Sequence, residues 1–116
     1  MRNPKQYDLE DRTLQFARNI FAFVNALPKT LTNNEVSKQL VRSAGSVGAN
    51  YIEANESLGK KDFQMRIKIC RKESKESRYW LMLLNAHAEE EHERIKLIQE
   101  STELMKIFGA ILEKCK

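Results

Sequence analysis

Two histidines and two cysteines are the only imidazole and thiol groups in these 116 residues, so metal or thiol chemistry would have to be built around them. His87 and His92 are five apart, beside Glu89, Glu90, Glu91 and Glu93. Glu89 and His92 have the Glu-x-x-His spacing of di-iron bundles, where one helical turn aims both side chains at one ion. Such a centre needs a second motif and further glutamates on other helices, and no second histidine-bearing copy exists. A solvated, acidic helix start is the better account. No Cys-x-x-Cys pair, phosphate-cradling glycine loop or nucleophile elbow occurs. Cys70 and Cys115 fall at apolar positions of their segments. A disulfide between them is geometrically possible, and two buried thiols in a cytoplasmic protein is the simpler reading. Glu53, Glu73 and Glu76 could be buried partners for Arg42 or Arg66, or surface acids, and nothing marks an acid/base pair among them. The chain therefore reads as a non-enzyme, with no metal and no cofactor.

Positive charge is the stronger signal. Between Lys60 and Tyr79 lie eight basic and three acidic residues, a balance of +5 against +4 for the whole chain. On a helical wheel advancing about 100° per residue, Lys60, Lys61, Lys68, Arg71, Lys72, Lys75, Arg78 and Tyr79 share one arc of roughly 120°. Lysine and arginine in such a row can neutralise phosphates, and a tyrosine can stack on a base. The plainer alternative is a solvated face that keeps the protein in solution. An acidic lipid surface fits less well, because no strongly apolar face is left free of protein contacts.

The elements that must carry this stripe are helices. Hydrophobic residues make up 41% and charged residues 31%, with four glycines and two prolines, Pro4 and Pro28, both in the first quarter. That leaves most of the chain free to run as helix. Leu9, Phe16, Ile20, Phe23, Val24 and Leu27 predict a first helix over about 9–27, capped by Asp8 and stopped by Pro28. Thr32 and Glu35 have capping-box spacing for a second helix. Its inner stripe is Val36, Leu40, Ala44, Val47, Tyr51, Ala54 and Leu58. Gly45 and Gly48 inside it cost about 1 kcal/mol each relative to alanine, which close approach of a neighbouring helix, or a kink, would explain. A turn at Gly59 leads to a third helix over about 61–85. Its seam, Phe63, Ile67, Cys70, Ser74, Ser77, Leu81 and Leu84, has small residues at its centre. A fourth helix starts within Glu89–Glu91 and runs to about Lys114, with Ile98, Ser101, Met105, Phe108 and Leu112 inward. Short connections imply antiparallel neighbours. The expected fold is all-α, an antiparallel up-down four-helix bundle forming one domain over 1–116.

Met65, Ile69, Trp80 and Leu83 lie outside the third helix's seam. With it they form a wider apolar arc than an isolated bundle needs. Leu97, Leu104, Ile107 and Ile111 widen the fourth helix in the same way. A generously packed monomer or a subunit interface would account for the width, and the interface is favoured. The chain start shows no apolar run of the secretory kind, and no window is long enough to span a membrane, so a cytoplasmic location is expected.

The block Gln39-Leu40-Val41-Arg42-Ser43-Ala44-Gly45-Ser46-Val47-Gly48-Ala49-Asn50-Tyr51-Ile52-Glu53-Ala54 resembles the signature of a bacterial family of four-helix-bundle proteins. These are encoded within intervening sequences of 23S ribosomal RNA genes, and the set includes the accessory variability proteins of diversity-generating retroelements. Arg12-Thr13, Phe16-Ala17, Leu27-Pro28-Lys29-Thr30, Lys61-Asp62-Phe63, Lys72-Glu73, Glu76 and Tyr79-Trp80-Leu81 extend the likeness over nearly the whole chain. The fourth helix matches only in pattern. The resemblance implies assembly as a homopentameric ring or barrel, a basic surface proposed to engage nucleic acid, and in the retroelement branch a reverse-transcriptase partner. The residues and the resemblance together lead to an oligomeric nucleic-acid-binding module, RNA foremost. A protein–protein adaptor or scaffold is the alternative.

Overall fold

The computed structural model describes the backbone of residues 4–116 and side chains from Asp8 onward. Four helices follow one another: α1 (Pro4–Ala26), α2 (Leu31–Asn55), α3 (Lys60–Leu83) and α4 (Ala88–Lys114). Each neighbouring pair is antiparallel. Glu10 and Thr13 of α1 meet Asn55 and Gly48 of α2, and Ser43 meets Ser77 across α2 and α3. Gln64 reaches Cys115, while Arg94 reaches the end of α3. The helices form a square: α1 packs on α2 and α4, and α3 packs on the same two, with no diagonal packing among the described residues. The elements are those the apolar periodicity predicts, in an up-down order.

Apolar stripes at helical spacing converge on one core. Phe16, Ile20, Leu40, Val47, Ile67, Leu81, Leu104 and Phe108 lose essentially all solvent contact. The α2–α3 pair packs most intimately because its facing residues are small. Ser77 donates to the Glu73 carbonyl at 2.9 Å and accepts from Ser43 at 2.8 Å, so buried hydroxyls are satisfied without separating the helices. Ser74 donates to Cys70 O (2.8 Å), and the Cys70 thiol approaches Val47 O at 3.4 Å.

Several details differ from the sequence reading. Helix α1 begins at Pro4, ahead of Asp8, so Asp8 lies within the helix and is not its cap. The N-cap of α2 is Thr30, whose Oγ1 accepts from Asn33 N at 3.1 Å, and not Thr32. Asn33 is buried at that start and decides the register. Its Nδ2 donates to Pro28 O (3.0 Å) and Asn85 O (2.8 Å), and its Oδ1 accepts from Asn85 N (2.9 Å). One side chain thereby ties the α1–α2 turn to the α3–α4 connection. Leu58 is in the turn and fully exposed, not in the core. On α4 the inner stripe is Leu97, Ser101, Leu104 and Phe108, with Ile98, Met105 and Leu112 only partly buried.

The glycines divide. Helix α2 runs unbroken through both. A Cβ on Gly48 would stand 3.0 Å from Thr13 Oγ1, so this glycine lets α1 approach closely. Gly45 faces open space, and close approach within the subunit does not account for it.

Candidate nucleic-acid interface

Helix α3 presents three faces. Its core arc carries Ile67, Cys70, Glu73, Ser74, Ser77 and Leu81. Opposite the core stand Lys60, Lys61, Lys68, Arg71, Lys72, Lys75 and Tyr79, all exposed. Arg78 is at the margin of the arc and partly buried, with its Nε enclosed and unpartnered. The predicted stripe is thus brought together on one outward ridge, with Arg78 as its least accessible member. From Lys60 to Arg78 the ridge is about 27 Å long at 1.5 Å per residue. Tyr79 is 55% exposed and meets Trp80 edge-on, with ring centroids 5.1 Å apart.

The electrostatics leave the ridge unneutralised. Among the described residues, none of its seven cations is in an ion pair, whereas Arg12, Lys38, Arg42, Arg94, Lys96 and Lys116 each have a carboxylate. Two of the three acids of this segment are engaged elsewhere. Arg42 of α2 reaches across to Glu73 (3.0 Å) and Glu76 (2.9 Å). Burial pushes the Glu73 carboxyl up, but hydrogen bonding and the positive charge of Arg42 outweigh it and hold the carboxyl below the ordinary range. Arg66, the other cation the sequence offered to these acids, donates to Asn50 at 2.9 Å instead. Gly109 of α4 leaves room for Arg71, whose guanidinium passes 3.8 Å from the place a Cβ would take.

The like charges are close to one another. Lys68 with Arg71 and Lys72, and Lys75 with Arg71, Lys72 and Arg78, are three or four residues apart on one helix. Each such pair destabilises a helix by about 0.2–0.5 kcal/mol. A face that served only to keep the protein in solution would intersperse acids and avoid this cost.

The apolar flank also lies where the spacing puts it. Met65 and Leu83 are each 49% exposed, while Ile69 and Trp80 are half-buried. Trp80 Nε1 is enclosed without a hydrogen-bond partner. The extra width read on α4 is different: Leu97 and Leu104 are core, and Ile107 and Ile111 pack against it. Adjacent apolar pairs such as Leu97–Ile98 and Leu104–Met105 fit two equivalent stripes, and only packing chooses between them. Exposed Leu14 and Phe21 on α1 and Ile52 on α2 were missed. Leu14 and Phe21 stand seven apart outside the α1 stripe, a pattern that could have revealed them.

The remaining reactive groups are not assembled. His87 precedes α4, its backbone N–H donating to Glu90 at 3.2 Å, and His92 is exposed. No group of three or more metal-ligating side chains clusters among the described residues. Both cysteines are free, and Cys115 is only half-buried, contrary to the expectation of two buried thiols. Burial pushes the Cys70 thiol up to about 12, so it is protonated at neutral pH. No helix among the described residues is long and apolar enough to cross a membrane.

These features define a small antiparallel four-helix-bundle protein with a basic outer helix. The chain belongs to the 23S rRNA-intervening sequence protein family, whose model matches residues 5–110. It is similar to a crystal structure from Bacteroides thetaiotaomicron, a protein of unknown function from the S23 ribosomal protein family. The two share 29% identity at a TM-score of 0.75, over 94% of this chain and 98% of that one. No curated protein matches the chain.

Proposed function

We propose that this protein is a non-enzymatic, oligomeric nucleic-acid-binding module, acting on RNA foremost through the α3 ridge. The supporting observation is the row of seven cations on one outward helix face without ion-pair partners among the described residues. Unpaired cations at helical spacing gain by exchanging mutual repulsion for phosphate contacts and counterion release. Reversing Lys68, Arg71 and Lys75 to glutamate should weaken binding to structured RNA at least tenfold while the far-UV circular dichroism stays helical. Unchanged affinity would remove the ridge from the function.

The same reading includes assembly into a closed ring of five copies. A ring of identical subunits joins two different patches at each interface. Met65, Ile69, Trp80 and Leu83 supply one, and exposed Leu14, Phe21 and Ile52 are available for the other. These apolar patches also support the alternative of a scaffold that docks a protein, such as a reverse transcriptase. A pull-down that survives nuclease treatment would favour that alternative.

A further inference from the structure

We infer that the ligand of the α3 ridge is a double-stranded nucleic acid, held by its phosphates and without reading of its sequence. This rests on the proposed binding function and narrows it. The ridge is convex, because its residues stand on the side of α3 opposite the buried arc of Ile67, Cys70 and Leu81. Among the described residues the hollows lie off the ridge: a groove of about 670 Å³ at the α1–α2 corner, one of about 410 Å³ between α1 and α4, and one of about 270 Å³ where Asp62, Met65 and Arg66 border the α2 end. Single strands are held in basic grooves floored by aromatic rings on which successive bases stack. Here one aromatic, Tyr79, stands on the ridge, and its ring is already engaged edge-on with Trp80. A flexible strand laid over this surface would lose chain entropy with almost no stacking to offset it.

A duplex is already ordered and carries one charge per 1.7 Å of axis, against one per 3.4 Å for either strand. Along about 27 Å of ridge that is roughly 16 phosphates for a duplex and 8 for one strand in the same geometry. Seven cations come close to the phosphate count of one strand, so charge number does not select the duplex. The duplex is favoured because it is already ordered and needs no stacking rings, of which this convex ridge has one. The ridge is also poorly equipped to read bases. Gln64 is the one amide side chain in the same arc, and it is committed to Cys115 O at 3.0 Å. No asparagine or free glutamine is there to read adenine, and of the arginines that could read guanine, Arg78 is partly buried and Arg71 lies along α4 at Gly109. Phosphate is common to RNA and DNA duplexes, so either form qualifies.

The test uses the full chain, freed of nucleic acid, and four fluorescent probes of 20 nucleotides or base pairs. They are an RNA duplex, a scrambled RNA duplex, a DNA duplex and an unstructured RNA strand. Duplex RNA should bind at least tenfold tighter than the single strand at equal ionic strength, and scrambling should change the affinity less than twofold. Single-strand binding equal to or tighter than duplex binding overturns this inference and leaves the binding function standing. A large effect of scrambling overturns the absence of sequence reading. Failure of all four probes to bind overturns the proposed function itself.

Discussion

Replacing Lys75 by glutamine should make the protein more stable and a weaker binder at the same time. Lys75 stands at the middle of the ridge, four residues from Arg71 and three from Lys72 and Arg78. Lys and Gln have similar helix propensities, and Lys75 has no ion-pair partner among the described residues. The substitution therefore removes three repulsive pairs and no attraction. At about 0.2–0.5 kcal/mol each, low-salt stability should rise by roughly 0.6–1.5 kcal/mol. For a domain of this size that is a Tm increase of about 3–6 °C. The gain should fade near 1 M salt, where the Debye length is about 3 Å and the pairs are screened. In binding, one phosphate contact is lost, so the slope of log K against log salt should become shallower by about 0.9. Calorimetric melting at two salt concentrations and a fluorescence binding series measure both. A variant that melts lower than the parent would show that Lys75 makes a stabilising contact, and unchanged binding would show that the ridge is not the contact surface.

Other perturbations address the framework. Glu73 has its carboxyl depressed when folded, so the Arg42–Glu73 pair stabilises above the unfolded carboxylate range and is lost as pH falls through the folded value. Acid titration of stability should therefore flatten in Arg42→Met, with about 1–2 kcal/mol lost at neutral pH because a buried carboxylate is left without its partner. Gly45→Ala should raise monomer stability by up to about 1 kcal/mol through helix propensity. Gly48→Ala should gain less or lose, because its Cβ meets Thr13 Oγ1 at 3.0 Å. Equal effects in chemical denaturation would refute the close α1–α2 approach. Leu83→Glu, at a half-exposed position, should give soluble helical monomers by light scattering if the α3 flank is an interface. Collapse into unfolded aggregate would place Leu83 in the subunit core instead.

Helices α1 to α3 were legible because their stripes are unambiguous. Phe16, Ile20 and Leu27, or Ile67, Cys70 and Leu81, leave one inward face each. Helix α4 is legible at Ser101 and Phe108, which are core, while Ile98 and Met105 stand one residue from the core members Leu97 and Leu104, because apolar residues occur there in adjacent pairs and sequence periodicity weighs both alike. The α2 start was misplaced for a related reason. Thr30 and Thr32 each have a partner three residues on, and the clamp from Asn33 to Asn85, distant in sequence, selects Thr30. Charge and helical spacing place the ridge on one helix face, but the partial burial of Arg78 at its margin is not legible from them. That its cations lack partners depended on Arg42 drawing Glu73 and Glu76 to the α2 side, a tertiary fact.

The most direct test of the central claim is the affinity of the purified, nucleic-acid-free protein for structured RNA across a salt series. The ridge predicts tight binding at low salt that falls steeply, with a log–log slope corresponding to several phosphate contacts. No binding at low salt would contradict the account.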